Sequence, residues 1–260
     1  MTAGPLSLDG RVAVVTGSGQ GIGQATAAKL AERGAAVVLN DLSQDRLDQA
    51  VATLTATGAR AIGVVADATD QTQAGSLFEQ AEQHLGPVDV LVNNVGGTWG
   101  ATGVALEPDD WEAVLRLNLT GQYLCARIAA RSMAARGWGR IINVSSSAGR
   151  FHSSYLLPGG IAYAAAKAGV LGLTRQMAHE LADLGILVNA VVPGNILTEQ
   201  GREDLDSLGT EITGRILRET LLHRFGRPEE VAGAVAFLAS DAASYICGAT
   251  VIVNGGWCVA

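Results

Sequence analysis

An α/β fold, a doubly wound parallel sheet of about seven strands with helices on both faces, is what this 260-residue chain predicts, and three observations carry the prediction. Short β-branched runs recur seven times, those runs are apolar on both faces, and helical segments separate them. Sustained strand and helix alternation means βαβ units rather than an all-helical or antiparallel architecture.

In chain order the strand candidates are RVAVVT at 11–16, AAVVLN at 35–40, RAIGVVA at 60–66, VDVLVN at 88–93, RIINVS at 140–145, ILVNAVV at 186–192 and ATVIVN at 249–254. Between them stand GIGQATAAKLAERG, DRLDQAVATLTATG, QAGSLFEQAEQHLG and a long segment over 108–137, each ending in glycine, the usual residue after a helix C-terminus. No linker, repeat or composition shift divides residues 1–260, so one domain is expected, 48% hydrophobic and able to bury a sizeable core. Residues 195–227 break the rhythm with a charged, helix-prone insertion after the sixth strand, where a substrate lid would sit.

The net charge of -7 opposes a general attraction to nucleic acid or anionic membrane, both of which need a basic face. The N-terminus has no basic segment followed by an apolar run, and no stretch of about 18 apolar residues occurs, so a cytoplasmic protein is expected. Cys125, Cys247 and Cys258 are odd in number and lack metal spacing, so neither a disulfide framework nor a metal site is expected.

Directly after the first strand comes TGSGQGIG, with glycines at 17, 19, 21 and 23, opening a helix. Such a loop lets backbone approach a pyrophosphate while the helix N-terminus offers free N–H groups. A turn that merely packs helix on strand would look similar. The context favours a dinucleotide, because Asp41 closes the second strand about 20 residues further on, where its carboxylate can accept from an adenosine ribose and repel a 2′-phosphate. No Arg or Lys lies between Gly17 and Gly23 or immediately after Asp41, so NAD is expected over NADP.

Tyr163 and Lys167, in AYAAAKAGVLGL, are four residues apart on a predicted helix, about 40° apart around it and about 6 Å along it. An ammonium at that distance favours phenolate, and bringing a phenol from pKa ~10 to about 7 needs roughly 4 kcal/mol. Lys29 and Lys167 are the chain's two lysines against sixteen arginines, which makes the choice of a compact ammonium at 167 notable.

With the TGxxxGxG form of the glycine loop, NNVG at 93–96, and Tyr163 and Lys167, the chain resembles the short-chain dehydrogenase/reductase family in its single-domain, Rossmann-type branch, from about residue 8 to the final VIVNGGW. The resemblance implies Gly17, Gln20, Gly21 and Ile22 at the cofactor phosphates and Asp41 on the ribose. Asp67 and Ala68 would bracket the adenine, Asn94 and Gly96 would line the adenosine side, and Pro193, Gly194, Ile196 and Thr198 would hold the nicotinamide amide. Val95 replaces the family's usual alanine.

The same resemblance assigns catalysis to Asn118, Ser146, Tyr163 and Lys167. Tyr163 is the expected acid/base, Lys167 lowers its pKa and holds the nicotinamide ribose, and Ser146 meets the carbonyl or alkoxide oxygen. Asn118 is expected to distort a helix and keep a water that links the lysine to solvent. Ser145 and Ser147 flank Ser146 and would replace it on a one-residue slip. Between Ser146 and Tyr163 the chain is a few residues longer than the family's common spacing, which makes His152, Tyr155, Leu156 and Leu157 candidate pocket walls, with Trp99.

The implied activity is NAD-dependent interconversion of a secondary alcohol and a ketone by hydride transfer, in a homotetramer or homodimer assembled through the helices flanking the fifth strand. Three alternatives compete. An NADP-dependent 3-oxoacyl-carrier-protein reductase would carry basic residues before the sixth strand, where this chain has Asp183 and Leu184. A cis-dihydrodiol dehydrogenase is suggested by the local NNVGGT, and a non-catalytic NAD-binding protein is opposed by the intact Asn118, Ser146, Tyr163 and Lys167.

Overall fold

In a computed structural model, which describes residues 4–151 and 158–257, all seven expected strands form one parallel sheet in the order β3-β2-β1-β4-β5-β6-β7. They are β1 (Val12–Thr16), β2 (Ala36–Asp41), β3 (Ala61–Val65), β4 (Val90–Asn93), β5 (Gly139–Val144), β6 (Ile186–Pro193) and β7 (Thr250–Val253). Alternation along each strand splits the core into two layers. Val12 and Val14 of β1 pack with Leu77 and Phe78 of α3 (Gln71–His84) and with Cys125 and Met133 of α5 (Gly121–Arg136). Ala13 and Val15 pack on the opposite face with Leu30 of α1 (Gly21–Glu32), Leu47 of α2 (Gln44–Thr55) and Val235 of α8 (Pro228–Ala239).

The expectation that every strand is buried on both faces fails at the two edges. β3 leaves Val65 46% exposed and β7 leaves Ile252 39% exposed, because an edge strand has a neighbour on one side only. Strand order reverses between β1 and β4, both paired to each other, and the crevice at the C-terminal ends of those strands is the usual ligand position in a doubly wound sheet.

Three local departures shape that crevice. The long helix expected over 108–137 is α4 (Pro108–Leu115) and α5 joined by a single π turn, Arg116–Thr120. Residues 195–227 contain α7 (Glu199–Glu219), whose course is interrupted at Gly209 by a non-helical φ of 78°. The base of this insertion is pinned by paired backbone: Leu197 N–H donates to Gly226 O (2.8 Å) and Gly226 N–H to Asn195 O (3.0 Å). α6 (Gly160–Leu181) carries the Tyr–Lys pair, and its preceding loop pairs with the loop after β4, where Gly159 N–H donates to Ala101 O at 3.0 Å.

Candidate active site

A cleft of about 390 Å³ opens at the strand C-termini and is lined by residues from five separate stretches of the chain. Gly17, Gln20, Gly21 and Ile22 come from the glycine loop, Asn94 and Gly96 from the end of β4, Ser146, Tyr163 and Lys167 from β5 and α6, and Pro193, Gly194, Ile196 and Thr198 from β6. Thirteen of the expected site residues therefore share one cavity, joined by Ser145, the neighbour that a one-residue slip would have put in place of Ser146, and by Val144 and Glu199, which the sequence did not point out.

The nucleotide end is built to leave backbone donors free. Gln20, the N-cap of α1, makes no side-chain cap bond, and no acidic residue occupies the first turn. By contrast Ser43 caps α2 and Asp70 caps α3 through side-chain oxygens, so the α1 N-terminus alone among these three keeps its N–H groups for a ligand. A Cβ on Gly23 would lie 2.2 Å from Gly17 O, so only glycine lets the helix start this close to the loop. Asn94 braces the loop, its Nδ2 donating to Thr16 O (3.0 Å) and Gly17 O (2.9 Å). An anionic pyrophosphate fits this cradle on charge and on space.

Asp41 stands at the end of β2, 10% exposed at its side chain, and accepts Gly19 N–H on Oδ2 at 3.2 Å. No Arg or Lys directly follows Asp41, as the sequence reads, but a cation reaches its carboxylate from five residues further on. Arg46 Nη2 lies 2.7 Å from Asp41 Oδ1, because the first turn of α2, capped by Ser43, folds residue 46 back over the strand end. The usable signal was the Ser43 cap, which fixes where that turn begins. Asp67 and Ala68 follow β3; Asp67 Oδ1 accepts Thr69 N–H at 2.8 Å and Ala68 is buried, and neither lines the cleft.

At the other end, the three consecutive serines differ in what they do. Ser145 Oγ donates to Lys167 O (2.7 Å) and Ser147 Oγ to Pro193 O (2.9 Å), so both hydroxyl protons are committed to backbone. Ser146 Oγ accepts Ala148 N–H at 3.2 Å and is hydrogen-bonded with the Tyr163 hydroxyl. Of the three, Ser146 is the one that faces the phenol.

Lys167 is 2% exposed, donates to Val144 O at 3.0 Å, and has its Nζ 5.6 Å from the Tyr163 ring centroid. Burial lowers its pKa to about 7. Burial also raises Tyr163 above the ordinary phenol range, partly offset by the Ser146 hydrogen bond. The simple expectation that Lys167 holds Tyr163 low is therefore not met by the two side chains alone, since desolvation penalises both charged forms.

Asn118 sits inside the π turn, fully buried. Its Nδ2 donates to Gly97 O (2.7 Å) and Val114 O (2.9 Å), and its Oδ1 accepts Gly97 N–H (3.2 Å). Gly96, expected on the adenosine side, instead runs past the catalytic end: a Cβ there would stand 2.8 Å from Asn118 Oδ1 and 2.9 Å from Lys167 Nζ. The loop crosses the cleft because Asn94 is fastened to Gly17 at one end and Gly97 to Asn118 at the other.

Trp99 is 37% exposed and does not line the cleft, although its loop meets Gly159 at the start of α6. His152, Tyr155, Leu156 and Leu157 lie outside the described residues. A side chain the sequence did not single out is Trp257, 4% exposed, which meets Phe151 edge-on with centroids 6.4 Å apart and donates from Nε1 to Glu219 at 3.3 Å. Among the described residues no cluster of three or more metal-ligating side chains occurs, and no helix is long and apolar enough to cross a membrane.

A parallel sheet of this order, with a glycine cradle under an uncapped helix and a Ser–Tyr–Lys group at the same crevice, defines a dinucleotide-binding oxidoreductase. A family model described as enoyl-(acyl carrier protein) reductase matches residues 17–258. The chain is 42% identical over 252 residues to the 3-oxoacyl-[acyl-carrier-protein] reductase of Synechocystis sp., covering 96% of this chain and 98% of that one. It is 43% identical over 251 residues to the cis-4-hydroxycyclohexanecarboxylate dehydrogenase of Sinomonas cyclohexanicum, covering 95% and 96%. A gluconate 5-dehydrogenase from Burkholderia cenocepacia, solved with NADP and tartrate, superposes with a TM-score of 0.91 at 36% identity over 99% of this chain and 98% of that one. The chain belongs to the short-chain dehydrogenase/reductase family and is a nicotinamide-dependent oxidoreductase.

Proposed function

We propose that this oxidoreductase interconverts a secondary alcohol and a ketone with NAD as its preferred cofactor, and that Asn118, Ser146, Tyr163 and Lys167 carry the reaction. The observation that supports it most is the Ser146–Tyr163 hydrogen bond beside a buried Lys167 in the cleft that also holds the glycine cradle. When bound, the dinucleotide supplies the hydride acceptor or donor and, in its oxidised form, a positive charge.

In the oxidative direction Tyr163 Oη takes the substrate hydroxyl proton as the alcohol carbon gives up its hydride; in reduction the same phenol returns a proton to the alkoxide oxygen. Ser146 Oγ donates to that oxygen as charge develops on it. Lys167, once protonated, favours the phenolate and offsets the cost that burial imposes on Tyr163. Asn118 holds the Gly97 backbone and the π turn, which keeps the Lys167 ammonium in place against Gly96. The α7 insertion serves as a lid hinged on the paired backbone at 195–197 and 226.

The names of the relatives speak for a second substrate better than for a free alcohol: a 3-oxoacyl group on acyl-carrier protein. Against it, the turn before β6 presents Asp183 and a 43% exposed Leu184, with no basic residue there to meet an acidic carrier. Rates on a panel of cyclic, aromatic and polyol alcohols, and on 3-oxoacyl thioesters of coenzyme A and carrier protein, decide between them. Turnover confined to the thioesters would refute the alcohol assignment; no turnover of either would refute both. We place assembly as a homodimer or homotetramer through α5 and α6, and a monomeric mass in solution would contradict it.

A further inference from the structure

We propose that Gln122 is a positioning residue of the active site: its amide donates to the Val144 carbonyl that Lys167 also uses, which fixes where the ammonium sits and weakens that carbonyl's hold on its charge. The inference deepens the proposed function and rests on its use of Lys167.

The sheet leaves the Val144 carbonyl to side chains. Even-numbered residues of β5 turn their backbone toward β4, as Arg140 N–H does on Asp89 O at 3.0 Å, but the pairing of the two strands ends at Asn93 and Asn143. The next donor along the chain from β4, Val95 N–H, bonds Thr16 Oγ1 at 3.3 Å instead. Two side chains take the carbonyl: Lys167 Nζ from α6 at 3.0 Å, and Gln122 Nε2 from the first turn of α5, also at 3.0 Å. A carbonyl oxygen has two lone pairs, and both are then used.

Packing alone does not ask for an amide here. Gln122 is 2% exposed, and its Oε1 has no hydrogen-bond partner among the described residues, a penalty that an apolar side chain of the same length would avoid. The residue is also held through its backbone. Its O accepts Asn93 Nδ2 at 3.0 Å, the same Nδ2 donates to Asn143 Oδ1 at 2.9 Å, and Asn143 Nδ2 donates to Thr174 Oγ1 at 3.0 Å. Thr174 stands on α6 about two turns beyond Lys167, so a chain of buried bonds leaves that helix, crosses β5 and β4 to α5, and returns to it through Gln122 and Val144.

Electrostatics gives the direction of the effect. The positive end of the Gln122 amide and the Lys167 ammonium meet at a single acceptor, which disfavours the charged lysine. Among the described residues, no charged side chain of α4, α5, β5, β6 or the loop after β4 opposes or reinforces burial in lowering Lys167 to about 7, and Tyr163 is the titratable group beside it. The amide adds to the lowering that burial produces.

The chain has two lysines, so protein isotope-labelled in lysine alone gives two side-chain signals by NMR, and Lys29, paired with Glu32 on α1, is the internal reference. Titrating these signals follows Lys167 without turnover. Gln122→Met should raise the pH at which Lys167 titrates by about one unit, a tenfold change in its protonation equilibrium, and leave Lys29 in place. Gln122→Asn keeps the amide but draws it back by a methylene; it should move Lys167 the same way and covers failure of the apolar variant to fold. Thr174→Val disturbs the same buried chain without removing a donor from Val144 O, and should leave Lys167 where it is.

An unmoved Lys167 in the Gln122 variants, or an equal displacement in Thr174→Val, would overturn the inference. In turnover the acid limb of alcohol oxidation should shift to lower pH with Gln122→Met, because a lysine charged over a wider range favours the phenolate. A displaced lysine with an unmoved acid limb upholds the link from Gln122 to Lys167 and refutes instead the coupling of Lys167 to Tyr163 in the proposed function.

Discussion

The two ends of the cleft are built by different means. At the nucleotide end the ligand-facing groups are backbone, set by the four-residue loop between β1 and α1 with the first turn of α1, and braced by one asparagine bonded to Thr16 and Gly17. At the catalytic end they are side chains from separate elements, Ser146 after β5 and Tyr163 and Lys167 on α6, while the segment before α6 and the end of the kinked α7 meet through Trp257 between Phe151 and Glu219. A backbone site is specified by local sequence, because glycine and the helix start fix it within one turn. A side-chain site depends on how distant segments pack, so the same family supports many substrates on one cofactor end.

The largest effect should come from filling the cradle. Gly23→Ala puts a methyl 2.2 Å from Gly17 O, against backbone that cannot yield, and dinucleotide binding measured by fluorescence should disappear. As a control, Gly172→Ala on α6 meets nothing within 4 Å and should be neutral or stabilising by up to about 1 kcal/mol. Binding by Gly23→Ala at the normal affinity would break the contrast between the two ends.

Next come the three serines. Ser146→Ala should lower kcat by about 10²- to 10³-fold, as loss of one donor to a developing oxyanion does. Ser145→Ala and Ser147→Ala each remove a hydrogen bond to backbone and should cost about 1 kcal/mol in denaturant unfolding with kcat within a few-fold. A reversed pattern would move the catalytic hydroxyl by one residue.

Trp257→Ala sharpens the comparison from the substrate side. It should cost about 3 kcal/mol of stability as a buried aromatic and raise KM, while the NADH dissociation constant stays within threefold. A matching loss of cofactor affinity would show the two ends are not separable.

The smallest effect is in pH. Burial lowers Lys167 to about 7, below its value in the unfolded chain, so between about pH 7 and 10 the folded state binds fewer protons. Stability should therefore rise with pH across that window, by at most about 1.4 kcal/mol per unit. Tyr163, raised by burial, opposes this only above about pH 10, where the unfolded phenol ionises first. Lys167→Met should flatten the rise; a slope unchanged in that variant would assign it elsewhere.

Most of the fold was legible because its signals are local: seven β-branched runs, helix-ending glycines such as Gly137 at φ 66°, and TGSGQGIG after β1. The glycine-loop members and the Ser146, Tyr163 and Lys167 group also fall together in one cleft, as the family resemblance implied. What escaped depended on three-dimensional closure. Arg46 reaches Asp41 only once α2 has turned, Trp257 matters only because α7 ends beside it, and Gly96 reaches Lys167 only because its loop is fastened at both ends. Desolvation of Tyr163 and Lys167 likewise follows from burial that no spacing of four residues reveals.

The central claim is that Tyr163 moves the substrate proton, and Tyr163→Phe tests it most directly. The variant removes one oxygen and should bind NADH within threefold of the unmodified chain, while turnover of every substrate accepted in the alcohol and thioester panel falls by about 10² to 10⁴. Turnover that survives at the unmodified rate, with cofactor binding intact, would contradict it.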